Sequence, residues 1–136
     1  MTGLTLPYGF GLTLDAPFDE AIVRVREALA AEGFGVLTEI DVRATLKAKL
    51  DVDFRPYIIL GACNPPLAHR ALTAELEIGL LLPCNVVVRA GDDEDTSVVS
   101  VMDPEAALSL ARNDAIAPLA ADVKARMQRV LDALRA

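Results

Sequence analysis

Apolar positions recur along this chain at two spacings, and the spacing changes where the element type should change. Phe18, Ile22, Val25 and Leu29 fall four, three and four apart, one stripe of an amphipathic helix. Glu20 stands four residues before Arg24 on its outer face, and Gly33 supplies a C-terminal stop. "FGVLTEID" (34–41) then alternates: Phe34, Val36, Thr38 and Ile40 on one strand face, Gly35, Leu37 and Glu39 on the other. A short helix over Val42 to Leu50 follows, with Leu46 and Leu50 on one side and Asp41 as its cap. "PYIILGAC" (56–63) is apolar on both faces, as in a strand covered on both sides or lying at a dimer seam. Asn64 and Pro65 start a third helix, an N-cap followed by a proline tolerated in the first turn.

The remainder reads the same way. A strand over Leu82 to Arg89, the turn "AGDDED" and a strand over 96–102 predict an antiparallel hairpin. Its acidic turn lacks the ligand spacing of a calcium loop and reads as a solvated turn. Asp103 and Pro104 cap another helix. Pro118 opens the last, whose inner stripe is Leu119, Val123, Met127, Val130 and Leu134. Residues 4–14 read as one strand interrupted by Pro7, Gly9 and Gly11, at an edge or a bulge. The expected order is βαβαβαββαα: an α+β fold in a single domain over residues 1–136, with helices packed on an antiparallel or mixed sheet.

Composition changes this picture in one respect. The 136 residues are 53% hydrophobic, and their mean hydropathy is +0.36. Alanine-rich helices account for part of this; the rest is more apolar surface than one small core hides, which predicts a homodimer. A membrane span does not explain it, because the longest apolar stretch, Ile78 to Val88, has 11 residues and contains Pro83 and Asn85, against the 20 or so a spanning helix needs. The N-terminus has no basic region and no cleavable apolar core, so no signal peptide is expected. Two cysteines without an export signal predict reduced thiols and a cytoplasmic location. Thirteen Lys and Arg against twenty Asp and Glu give a formal net charge of −7. That disfavours nucleic acid and anionic membranes, which require clustered cations.

The candidate chemistry lies in two Cys-Asn steps, Cys63-Asn64 and Cys84-Asn85, and in the chain's one histidine, His69. If their strands pair antiparallel, the end of the first lies beside the start of the second, and the thiols are neighbours or on opposite faces according to register. Cys63 precedes a helix N-terminus, whose dipole would favour a thiolate, and His69 is the one imidazole available to assist. Cys63, His69 and Cys84 make three soft ligands, enough for copper(I) or an open zinc site, but without a C-x-x-C or a second histidine no metal site is assigned. Both cysteines also suit a simpler role as small buried hydrophobes, with the asparagines satisfying strand-end backbone groups. Phosphate binding at this helix start is disfavoured because Pro65 and Pro66 remove two of its N–H donors. No Gly-rich phosphate loop, nucleophile elbow or metalloprotease motif occurs, and no cofactor is expected.

Three stretches, "GFGVLTEIDVRATLKAKL" (33–50), "DFRPYIILGACNPPLAHRAL" (53–72) and "EIGLLLPCNVVV" (77–88), occur in an order that closely resembles the bacterial and archaeal domain of unknown function 302 family. The resemblance implies a compact, dimeric α+β domain and no particular activity. Three functional readings follow. The first is a dimeric protein with a small-molecule cleft near Cys63, Asn64, His69, Cys84 and Asn85. The second is a thiol redox enzyme or soft-metal handler using Cys63 and Cys84. The third is a purely structural dimer module.

Overall fold

The computed structural model describes residues 3–135. Six strands form one antiparallel sheet in the order β1-β2-β6-β5-β4-β3. They are β1 (Gly3–Leu6), β2 (Gly9–Leu14), β3 (Gly35–Asp41), β4 (Tyr57–Cys63), β5 (Cys84–Ala90) and β6 (Ser97–Met102). The helices are α1 (Phe18–Ala31), α2 (Val42–Leu50), α3 (Pro65–Ala74), α4 (Pro104–Leu108) and α5 (Ala117–Arg135), with 3₁₀ turns at Leu76–Leu81 and Ser109–Ala111. The α+β class holds, and the sheet is wholly antiparallel. The N-terminal segment corrects the expected order: residues 4–14 are two strands, turned back at Pro7 and Tyr8, and the sequence of elements is ββαβαβαββαα. Pro7 lacks the N–H that a continuous strand would need, so it marks a hairpin turn here.

The helical stripes face one side of the sheet. Val25 and Leu29 of α1 and Met127, Val130 and Leu134 of α5 are buried against Leu12, Leu60, Val86, Val88, Val99 and Val101. The register explains why those strand residues share a face. Leu12 pairs with Val99, Val99 with Val88, Val88 with Ile58, and Val86 with both Val101 and Leu60. Each such large side chain contributes about 1.5–3 kcal/mol on burial, so this cluster dominates the stability of the domain.

A second, smaller apolar cluster lies beside the first. Leu67 and Ala71 of α3, Ile78 of the 3₁₀ turn, Leu108 of α4, Ile116, and Leu119 and Ala120 of α5 form it. The two clusters share Val123 at their margins. α5 is thus apolar along two neighbouring arcs, one for the sheet and one for α3.

One strand departs from simple alternation. In β3 the register slips between Val36, opposite Ala62, and Thr38, opposite Gly61. This bulge at Leu37 places Val36 on the helix side and Thr38 on the other, contrary to the expected shared face. Glu39, opposite Leu60, returns to the helix side and pairs with Arg26 of α1.

Candidate functional site

Where the two apolar clusters meet they leave a gap. A cavity of about 350 Å³ opens at the end of the sheet. Phe34, Ala62 and Cys84 form its floor, Leu67, Ala68, Ala71 and Leu72 of α3 one wall, and Leu119 and Val123 of α5 the opposite wall. Leu37 and Thr38 reach it because of the β3 bulge. No charged side chain lines it; Asn64, Thr38 and the two thiols are its polar groups. Such a volume and such a lining fall in the range of small-molecule sites.

Local sequence positions each of the candidate residues. Asn64 caps α3: its Oδ1 accepts from the Leu67 N–H at 3.3 Å, and it is buried at 8% exposure. The capping residue also explains Gly33. Gly33 has φ +83°, and a Cβ there would sit 2.9 Å from Asn64 Nδ2, so the stop after α1 must be a residue without a side chain. Cys63 ends β4 and Cys84 begins β5, and these strands are neighbours, as antiparallel pairing requires. Cys84 pairs with Ala62, which puts it on the helix side; Cys63, one residue further, alternates to the other. Both still line the cavity, because the cavity lies at the end of the sheet.

Neither thiol is poised for ionisation. Burial pushes the Cys84 thiol up from 9.0 to about 12, and the nearby Asp103 carboxylate adds to the effect. The Sγ–H of Cys84 donates to the Met102 carbonyl at 3.9 Å. Asp103 stays ionised: burial pushes its carboxyl up, but hydrogen bonds from Lys124 at 3.0 Å and from the Ala106 and Glu105 amides outweigh this and hold it below the usual range. Burial also raises Cys63, against the lowering expected from the helix dipole.

His69 and Asn85 do not line this cavity; each borders a different cleft. His69 is exposed on the outer face of α3 and borders a separate cleft with Arg70, Thr73 and Pro118. α5 covers Leu67 and Ala71 of α3, and His69 faces away from them. Asn85 is exposed on the outer sheet face, beside Tyr8, Val87 and Ser100. It is one residue from Cys84, and period-2 alternation sends it to the opposite side. Among the described residues, no group of three or more His, Cys, Asp or Glu is arranged to hold a metal ion, so Cys63, His69 and Cys84 are not assembled as ligands. Leu108, Leu119, Val123, Gly79 and Leu82 complete the cavity and were not singled out from sequence. Their only signal is apolar periodicity, which core packing produces equally.

Comparison with known proteins places this geometry. Residues 10–134 match the family described as "Domain of unknown function DUF302". The chain belongs to that family. A crystal structure of an uncharacterized conserved DUF302 protein from Bacillus stearothermophilus is similar at 32% identity and a TM-score of 0.86, over 94% of this chain and 98% of that one. No match was found among curated proteins. The DUF302 fold therefore extends over both apolar clusters and the cavity between them. No helix among the described residues is long and apolar enough to cross a membrane.

Proposed function

We propose that this DUF302 protein is a dimeric, non-enzymatic binding protein for a small apolar molecule, held in the cavity between the sheet end, α3 and α5. The observation that carries the reading is the cavity itself: about 350 Å³, uncharged, and walled by Leu67, Ala71, Leu119 and Val123 on two helices. An apolar lining with a few polar groups at its edge is the usual composition of a small-molecule site. The raised thiols at Cys63 and Cys84 weigh against nucleophilic or redox chemistry there, because the thiolate is the reactive species. The test is titration with the neutral fluorophore N-phenyl-1-naphthylamine. One site per chain is expected. Ala68→Phe, which fills the cavity from the half-buried wall of α3, is expected to weaken binding at least tenfold with an unchanged circular dichroism spectrum. Equal binding by both proteins would place the probe elsewhere.

The dimer is proposed on the outer face of the sheet. The main core faces α1 and α5, and α2, near the opposite edge, buries none of its residues. Ile40 pairs with Ile59 and Ile59 with Val87, an apolar band across that outer face. Ile40 is 49% exposed, and Val52 and Phe54 nearby are each 42% exposed. A two-fold interface of at least about 1,200 Å² with an apolar centre would cover them. Light scattering at micromolar concentration is expected to give twice the chain mass of 14.5 kDa. Ile40→Lys with Phe54→Lys should give a folded monomer, since both side chains lie outside the core. A wild-type monomer would refute the interface.

A further inference from the structure

Resting on the binding and dimer readings, we infer that the second copy of the chain closes the mouth of the cavity, so that ligand and partner subunit each strengthen the binding of the other.

Exposure places the mouth. Most of the lining is buried or half-buried; its exposed residues are Leu37 and Thr38 of β3 on one side, and Leu72 of α3 and Gly79 of the 3₁₀ turn on the other. Leu37 is 67% exposed. The β3 lip belongs to the outer sheet face. Thr38 pairs with Gly61, and Gly61 with Asn85. A Cβ on Gly61 would meet the Thr38 hydroxyl and, at 2.9 Å, the Pro83 ring. Thr38 and Pro83 therefore close over Gly61 on that face, and both line the cavity. The Ile40–Ile59–Val87 band is the next outward rung along the same strands: Ile40 is two residues from Thr38, Ile59 two from Gly61, and Val87 two from Asn85.

The size of a stable interface decides how far the partner reaches. From the strand rise and the spacing between strands, Thr38 lies roughly 8 Å from Ile59. A stable interface takes at least about 600 Å² from each subunit, a patch extending roughly 10 Å or more from its centre. An interface centred on Ile59, the middle of the band, therefore covers Thr38 and reaches the lip. No charge stands in the way: Thr38, Gly61, Asn85 and the band itself are neutral, and interface centres are depleted in charged side chains. In a lone subunit the outward surface of a bound ligand meets water at the mouth. With the partner over the lip, that surface and Leu37 are covered together. Some 60 Å² more apolar surface removed from water is worth about tenfold in affinity. Linkage makes the effect mutual. With one site per chain, about tenfold tighter ligand binding in the dimer is about 100-fold tighter dimerisation when both sites are filled.

The experiment uses N-phenyl-1-naphthylamine as the probe. Its affinity is titrated with wild type above and below the concentration at which the dimer dissociates, and with the Ile40→Lys, Phe54→Lys protein, whose altered positions do not line the cavity. The expected Kd is about tenfold weaker in the diluted wild type and in the variant, with an unchanged circular dichroism spectrum. In the reciprocal measurement, sedimentation equilibrium of wild type, saturating probe is expected to tighten the dimer about 100-fold. Equal affinity in monomer and dimer, or tighter binding by the monomer, would overturn the inference while leaving both the cavity site and the dimer in place. A wild type that is monomeric with and without probe would remove the dimer reading, and the inference with it. A probe held by neither form would remove the binding reading instead.

Discussion

Replacing Gly11 with alanine is expected to destabilise the protein by about 3 kcal/mol or more and to lower Tm by roughly 10 °C. Gly11 lies in β2, paired with Ser100 of β6. A Cβ there would run into the Val99 carbonyl oxygen and lie 2.8 Å from the Ser100 Cα. Both obstacles are backbone. They cannot rotate away as a side chain tip would, so relief requires opening the β2–β6 ladder that joins the N-terminal hairpin to the sheet. Leu12 and Leu14, buried on the other face of the same strand, would move with it. Gly35 provides the matched control. It also lies in a strand, but a Cβ there meets nothing within 4 Å. Gly35→Ala should change stability by less than about 0.5 kcal/mol. Thermal unfolding of the two variants against wild type checks both halves.

The second large effect is alkaline. In the unfolded chain Cys84 has the ordinary thiol value of 9.0, and in the folded protein it stands at about 12. Between those values the unfolded chain releases a proton that the native state retains, so stability falls as pH rises. The contribution is fully present below about pH 9 and is lost progressively as pH climbs toward 12. Its full size is on the order of 4 kcal/mol, from about 1.4 kcal/mol per unit over three units. Tyrosines and lysines also titrate in that window, so the informative quantity is a difference. Denaturant unfolding of wild type and Cys84→Ala at pH 8 and pH 11 should show wild type losing about 2–3 kcal/mol more than the variant. Parallel losses in the two proteins would mean that Cys84 ionises freely in the native state, and the apolar cavity floor would have to be reconsidered.

Much of the fold is legible in local patterns. The stripes Val25–Leu29 and Met127–Val130–Leu134 point where their spacing says, because a helix pays no attention to sequence beyond its own turn. Asp41 and Asn64 cap the helices they precede, Asp41 accepting from the Ala44 N–H at 2.9 Å, since capping is decided within four residues. The hairpin across the acidic turn follows from its length. The N-terminal hairpin is less legible: Pro7 between two glycine-containing strands reads as an interruption until β1 is known to fold back on β2, with β6 on β2's other side. The bulge at Leu37 is invisible for a related reason, as one extra residue leaves no compositional mark and yet reverses the face of Thr38.

The candidate site divides along the same line. That Cys63 and Cys84 lie at the same end of neighbouring strands follows from antiparallel pairing. The separation of His69 and Asn85 from them does not, because each depends on which face a neighbouring element covers. The cavity is set by the mismatch between two apolar clusters, a property of tertiary packing that no single segment contains.

In the proposed reading a small apolar ligand occupies the space between α3, α5 and the sheet end. Amide and methyl chemical-shift mapping of the isotope-labelled full chain, titrated with naphthalene, tests it most directly. Saturable shifts are expected at Leu67, Ala71, Cys84, Leu119 and Val123, with His69 and Asn85 unmoved. Shifts centred instead on the outer sheet face around Ile59 and Val87, or no saturable shifts at all, would contradict it.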